Sequence, residues 1–317
     1  MSLARFLFQR VLLTTPLLVV ISLSGFLIIN AIPGGPLAAY TENPEFRSED
    51  LVKIALQLGL DQPIHVRYVR WLTTFVGGDW GYSYSTKQPV VVMIGERLKN
   101  TALLFALAYL TILAVSVPIG ILAATKAYSA TDYLITGAAF MALSVPTFWL
   151  GLLLIIVFSV ALRIFPAGGM ATIGAEFSLV DRLRHLILPL LTLSFVTSGA
   201  YARYVRSEML EVLGQDYIRT ARAKGLPARR VRWQAFRNAA IPFVTVAVMY
   251  IPELMTGTVV VETIFSWPGM GRLLWEAALR HDYPVLMGIL VVGATATLFA
   301  SLLADILYAW LDPRIRY

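Results

Sequence analysis

Residues 101–125 read TALLFALAYLTILAVSVPIGILAAT, 25 positions without one charged side chain. A helix needs about 20 apolar residues to cross the hydrocarbon core of a bilayer, so this run reads as a membrane span. Toward the N-terminus, Val11–Ile32 gives 22 uncharged residues. Toward the C-terminus, Tyr133–Leu162 gives 30, between Asp132 and Arg163. Leu186–Ala202 gives 17 and reaches span length by extending into Arg203 and Tyr204. Asn238–Val261 gives 24, interrupted by Glu253, and Tyr283–Ala304 gives 22. These six runs predict an all-α polytopic membrane protein with six transmembrane helices.

Composition agrees. Of 317 residues, 58% are hydrophobic and 14% charged, with a mean hydropathy of +0.71. A soluble domain carries about 25% charged residues, so a water-soluble enzyme and a disordered chain are both excluded. The absence of cysteine excludes disulfides, thiolate metal sites, cysteine nucleophiles and iron–sulfur clusters. His65, His185 and His281 stand in three separate segments, without the spacing of a metal site. The net charge of +7 is not a nucleic-acid footprint when most of the chain is destined for lipid. The first run follows Arg5 and Arg10 and precedes Ala38 and Ala39, as a cleaved leader would. A leader's apolar region is about 7–15 residues, and Val11–Ile32 is longer, so a retained span is expected.

Loop charge sets the orientation. Residues 203–237 hold nine bases against Glu208, Glu211 and Asp216, and such a segment stays in the cytoplasm. Six spans then place both termini inside, consistent with Arg5, Arg10, Arg314 and Arg316. Residues 33–100 become a small helical extracytoplasmic insert. Ser48 is expected to cap a helix with Leu51, Ile54, Ala55 and Leu58 on one face and Gly59 at its end. A second helix opens near Pro63, with Ile64, Tyr68, Trp71, Leu72 and Phe75 at helical spacing and Gly77-Gly78 closing it. Gly78-Asp-Trp-Gly81 reads as a turn, and Pro89 opens an amphipathic stretch that runs into the second span. The insert fits a docking platform and equally a lid packed on the bundle. Pro118, Gly120, Pro146, Pro189, Pro252, Gly288 and Gly293 interrupt the spans as kinks, or as the Pro and Gly common in membrane helices.

Within the basic segment, Asp216–Gly225 reads as one short helix. Asp216 suits its N-terminus, Arg222 and Lys224 its C-terminus, and Gly225 the left-handed residue beyond. Pro227 begins a second helix carrying Arg229, Arg230, Arg232 and Arg237. The pair fits binding to anionic lipid. It fits equally a protein-docking surface, with Thr220, Ala221 and Ala223 admitting close approach. Glu253 is the ionisable group deep in a span, fitted to line a pathway or to bond a neighbouring helix. After the fifth span, Glu262 and the turn Trp267-Pro268-Gly269-Met-Gly271 form a shaped loop, an outer gate or a packed connector. No phosphate-binding G-x-x-x-x-G-K-[ST] and no G-x-S-x-G elbow occurs. The chain thus reads as a non-enzyme without a cofactor of its own.

The run Tyr217-Ile-Arg-Thr-Ala-Arg-Ala-Lys-Gly225-Leu-Pro, followed by Arg237-Asn-Ala-Ala-Ile-Pro242, resembles the "EAA" loop of binding-protein-dependent ABC importer permeases. Leu58-Gly-Leu-Asp-Gln-Pro63 with Gly78-Asp-Trp-Gly81, Glu262-Thr-Ile-Phe-Ser-Trp-Pro-Gly-Met-Gly271 and Leu311-Asp-Pro-Arg-Ile-Arg-Tyr317 resemble its oligopeptide/dipeptide branch, which nickel-chelate permeases share. Arg219-Thr220-Ala221 stands where Glu-Ala-Ala would, and Gly225 lies further from Pro242 than in the general motif. Both departures are shared by the peptide branch. The resemblance implies one permease domain over 1–317, with 33–100 as its outer insert and 203–238 as its coupling segment. Tyr217, Arg219, Thr220, Ala221, Arg222, Ala223, Lys224, Gly225 and Leu226 would dock on a cytoplasmic ATPase. It further implies a bacterial inner-membrane importer with a second related permease, two ABC ATPase subunits that bind ATP and magnesium, and an extracytoplasmic binding protein. Peptides are the first substrate class implied. A stand-alone secondary transporter or channel, with Glu253 as its coupling acid, is the alternative from another class.

Overall fold

A computed structural model describes residues 3–41, 47–249 and 251–311. In chain order the helices are α1 (Leu3–Ala31), α2 (Ala38–Thr41), α3 (Ser48–Gln57), α4 (Ile64–Val76) and α5 (Val90–Thr125). There follow α6 (Ala130–Ser144), α7 (Thr147–Leu154) with a π-helical continuation over Ile155–Ala161, and α8 (Leu179–Leu213). The chain then forms α9 (Asp216–Ala223), α10 (Ala228–Met249), α11 (Ile251–Ile264), α12 (Met270–Leu279) and α13 (Tyr283–Leu311). Among the described residues the sole strand-like feature is an isolated bridge between Tyr82 and Pro89. The fold is all-α and polytopic.

Among the described residues four helices are long and apolar enough to cross a membrane, against the six spans expected: Leu12–Ala31 of α1, α5, α8, and Tyr283–Leu303 of α13. Ala130–Ser144 and Thr147–Ala161 pass the same test as a pair bent by 99°, the geometry of a broken span or a re-entrant loop. Of the two readings of Pro146 within Tyr133–Leu162, the break is the one found. Proline's ring disfavours the helical region for the residue before it. Val145 accordingly takes φ −89°, ψ 121°, and the helix restarts at Thr147. Pro118 and Pro189 lie inside α5 and α8, which run on without a break. Pro252 falls in the first turn of α11, where a missing N–H costs nothing. The stretch Asn238–Val261 is carried by two helices, α10 and α11, with residue 250 between them outside the described residues.

The chain divides into two compact units, residues 1–100 with 269–299 and residues 101–268 with 300–316. In the first, the insert packs on α1. Tyr68 of α4 is buried and its hydroxyl lies 2.9 Å from Ser22 Oγ. Arg67 Nη2 donates to Asn30 Oδ1 at 2.7 Å. An aromatic series runs from Phe26 through Trp71 and Phe75 to Trp80, the last two rings stacked at 4.6 Å. Of the apolar spacing read from Ile64 to Phe75, Tyr68 and Trp71 meet α1, Phe75 stacks on Trp80, and Ile64 is exposed. Gly78 closes α4 at φ +93° and Gly59 closes α3 at φ +66°, as their positions predicted. The cap of α3 differs: Ser48 is its first helical residue, and Arg47 is the cap, its N–H donating to Asp50 Oδ2 at 3.3 Å. Deeper in this unit Val90 and Ile94 of α5 pack with Leu273 of α12 and Val285 and Ile289 of α13. Gly288 is required there, since a Cβ would stand 2.7 Å from Ile94 Cδ1.

The second unit has its core along α8. Leu104, Ile112, Leu188, Val205, Met209, Ile218 and Phe265 are buried in one cluster. Helices approach closely at Gly120, where a Cβ would lie 2.6 Å from the Ala202 carbonyl.

Candidate functional site

The short helix α9 is tied to the core of the second unit. Gly214 caps the end of α8, and the next residue, Gln215 in extended conformation, caps the start of α9. Ile218 is fully buried and Ala221 nearly so, while Tyr217, Arg219, Thr220, Arg222, Ala223, Lys224 and Gly225 are exposed. The helix thus buries one stripe and presents a basic face. Its C-terminus closes with two reverse hydrogen bonds, Gly225 N–H to the Arg222 carbonyl (2.9 Å) and Leu226 N–H to the Ala221 carbonyl (3.2 Å). That double closure needs a left-handed residue, and Gly225 supplies it at φ +76°. Leu226, half-buried, packs on the same cluster as Ala221. Asn238 Nδ2 of α10 donates to the Tyr217 hydroxyl at 2.6 Å, tying α9 to α10. Ala221, expected among the small residues offered to a partner, faces the core instead. Thr220 and Ala223 are the small side chains on the exposed face, beside an Arg219–Asp216 contact of 3.4 Å.

A buried ion pair braces the same unit. Asp132 on α6 is fully buried and receives two parallel bonds from Arg206 of α8, Nε to Oδ1 at 2.5 Å and Nη2 to Oδ2 at 2.6 Å. Tyr128 N–H adds a bond of 2.8 Å to Oδ2. Sequence reading did not single out this pair, whose members stand 74 positions apart. A local signal existed: Ser129, three residues earlier, caps α6 by accepting from Asp132 N–H. The same signature, Ser178 before Asp181, opens α8.

The loop after α11 is well packed on its second-unit side. Glu262 is fully buried and accepts from Thr101 Oγ1 at 2.7 Å. Trp267 is buried, its N–H bonded to the Glu262 carbonyl at 2.9 Å, and Pro268 is half-buried. The turn is made by Ser266 at φ +50°, not by a glycine. Gly168 explains the fit below it, since a Cβ there would meet the Phe265 carbonyl at 2.5 Å. Gly269 and Gly271 are buried and belong to the first unit. Of the two readings of this loop, burial fits the packed connector. The side chains of residues 252–257, Glu253 among them, lie outside the described ones.

In the first unit a second buried aspartate, Asp282 between α12 and α13, also escaped sequence reading. It accepts from the hydroxyls of Ser83 (2.5 Å) and Ser85 (2.9 Å) and from the N–H groups of Tyr84 (3.0 Å) and Ser85 (3.2 Å). The 82–89 loop of the insert is wrapped around one anion. Burial pushes the Tyr84 hydroxyl well above the usual phenol range, with Tyr40 and Asp282 adding to it, so it stays a neutral phenol. Among the described residues no cluster of His, Asp and Glu is arranged to hold a metal.

Comparison with known proteins covers the full chain. The family described as binding-protein-dependent transport system inner membrane component matches residues 116–317, and its N-terminal companion matches residues 3–105. The oligopeptide transport system permease protein AppB of Bacillus subtilis is 43% identical over 99% of this chain and 100% of its own. The dipeptide transport system permease protein DppB of Escherichia coli is 36% identical over 99% of both chains. The probable D,D-dipeptide transport system permease protein DdpB of Escherichia coli is 39% identical over 92% of this chain and 91% of its own.

Proposed function

This chain belongs to the binding-protein-dependent transport system inner membrane components, and from that premise we propose that it forms half of a peptide-import pathway, driven through α9 by a cytoplasmic ABC ATPase. A second related permease forms the other half, two ATPase subunits bind ATP and magnesium, and an extracytoplasmic binding protein delivers the peptide. The observation that carries the coupling role is the mounting of α9. A basic helix presents seven exposed positions while Ile218 and Ala221 anchor it in the core and Asn238 bonds Tyr217. Such a helix is suited to receive a partner and pass its displacement to α8 and α10. Closure of the ATPase pair on ATP moves α9, the spans open outward, and hydrolysis returns them inward. The nine bases of 203–237 keep this segment in the cytoplasm, which sets both termini inside and the 33–100 insert outside, where it meets the binding protein.

The test is recovery from native membranes in mild detergent with mass spectrometry of what accompanies the chain. P-loop ATPases and a second permease are expected with the native protein, and loss of the ATPases with Arg219→Glu/Arg222→Glu. Uptake of a labelled dipeptide is expected to fail in Gly225→Pro. A chain recovered alone, or as copies of itself, overturns the proposal, as does normal uptake by Gly225→Pro.

A further inference from the structure

Beside α9, on the same unit, lies a groove of about 1210 Å³ lined by Leu226 and by residues of α5 and α10. One wall is Pro118, Ile121, Leu122 and Thr125, spaced so that they share one face of α5. The other wall is Arg229, Arg230, Arg232 and Trp233 of α10. No carboxylate lines it. Trp233 is 65% exposed, unusual for the largest apolar side chain. On α10 the opposite stripe, Val231, Ala235 and Ala239, is buried, so the arginine face is fixed in direction by packing.

Each wall passes from apolar to charged residues along its own helix. The uncharged run of α5 ends at Thr125, and Lys126 follows. The bases of α10 end at Arg237, and Ala239–Met249 continue without a charge. The groove therefore sets an apolar track belonging to a span against a guanidinium cluster. A tryptophan at such a boundary is the usual interfacial anchor, and basic pockets between spans on the cytoplasmic side bind anionic headgroups.

We infer that this groove is a binding site for an anionic phospholipid, its phosphate held by Arg229, Arg230 and Arg232, its glycerol region against Trp233 and an acyl chain along Ile121 and Leu122. The site concerns lipid, and it stands whether or not the cargo is a peptide. Three guanidinium groups and no acid give charge complementarity to a phosphodiester, and guanidinium forks match phosphate oxygens two at a time. A soluble anion has no use for the apolar wall.

The experiment uses the full chain, purified with whatever subunits accompany it, in nanodiscs of phosphatidylcholine with increasing phosphatidylglycerol. Native mass spectrometry counts retained lipid, and quenching by brominated phosphatidylglycerol, compared between native protein and Trp233→Phe, reads position. The native protein is expected to retain phosphatidylglycerol over phosphatidylcholine, with about a fivefold loss of preference for each arginine removed. Arg229→Gln/Arg230→Gln/Arg232→Gln should lose the preference, and the corresponding triple lysine variant should keep part of it. Trp233 should account for most of the quenching. Equal retention by native protein and the glutamine variant overturns the inference. So does displacement by glycerol phosphate alone, which would make the site one for soluble anions. Loss of ATPase subunits with unchanged lipid retention in the glutamine variant also overturns it, by assigning the groove to a protein partner.

Discussion

Asp132 and Asp282 are both buried carboxylates, yet they are satisfied by opposite means. Asp132, in the second unit, is matched by a full positive charge, the bidentate Arg206. Asp282, in the first, is held by two serine hydroxyls and two backbone N–H groups. A guanidinium cancels charge and staples two long helices, α6 and α8. A ring of neutral donors leaves the charge in place and fixes a loop, because each donor must point at one spot. A helix pair tolerates a rigid brace, whereas a loop holds a defined shape only when its backbone and side chains are pinned to one point.

Removing Arg206 tests the first half of that contrast. Arg206→Leu leaves Asp132 buried and unpaired and should destabilise by about 4 kcal/mol, seen as a lowered unfolding midpoint in detergent. An unchanged midpoint would mean that the pair contributes no brace. Asp282→Ala orphans four donors at once and should cost about 2–3 kcal/mol, read as faster hydrogen exchange at Tyr84 and Ser85. Exchange unaltered there would remove the cradle from the account. Asp282→Asn keeps one acceptor but turns an amide N–H toward donors, for about 1 kcal/mol by the same readout. The smallest effect belongs to Asp132→Leu/Arg206→Leu together. Removing both charges should return stability to within about 1 kcal/mol of the native chain, since two apolar residues avoid the desolvation that the pair must overcome. If the double variant is as unstable as Arg206→Leu alone, packing and not charge carries the loss.

What the sequence discloses is local. Tyr68, Trp71 and Phe75 announce their face by spacing alone, and Gly59, Gly78 and Gly225 announce helix ends because a left-handed residue there is nearly obligatory. Pro146 was not distinguishable from Pro118 and Pro189. All three forgo one hydrogen bond, and the surrounding packing decides whether the helix bends. Pro189 is buried in the core of α8, whereas Val145-Pro146 yields to the extended form. Likewise the partners of Asp282 lie 197–199 positions away, and nothing in Ser83-Tyr84-Ser85 names an aspartate. Ser266, left-handed without being glycine, is legible only from the fold. In residues 216–225 the basic face was legible, but the inward turn of Ala221 was not, because alanine suits core and contact surface equally.

The seating of α9 has a mechanical consequence. A helix hung on a slack loop would absorb a push as bending of its tether. Here Ile218 sits in the core, the link to α8 is only Gly214 and Gln215, and the Tyr217–Asn238 bond spans to α10. Compliance in series is therefore small, and a load applied at Arg219 or Arg222 arrives at α8 and α10 as displacement with little lost to local strain.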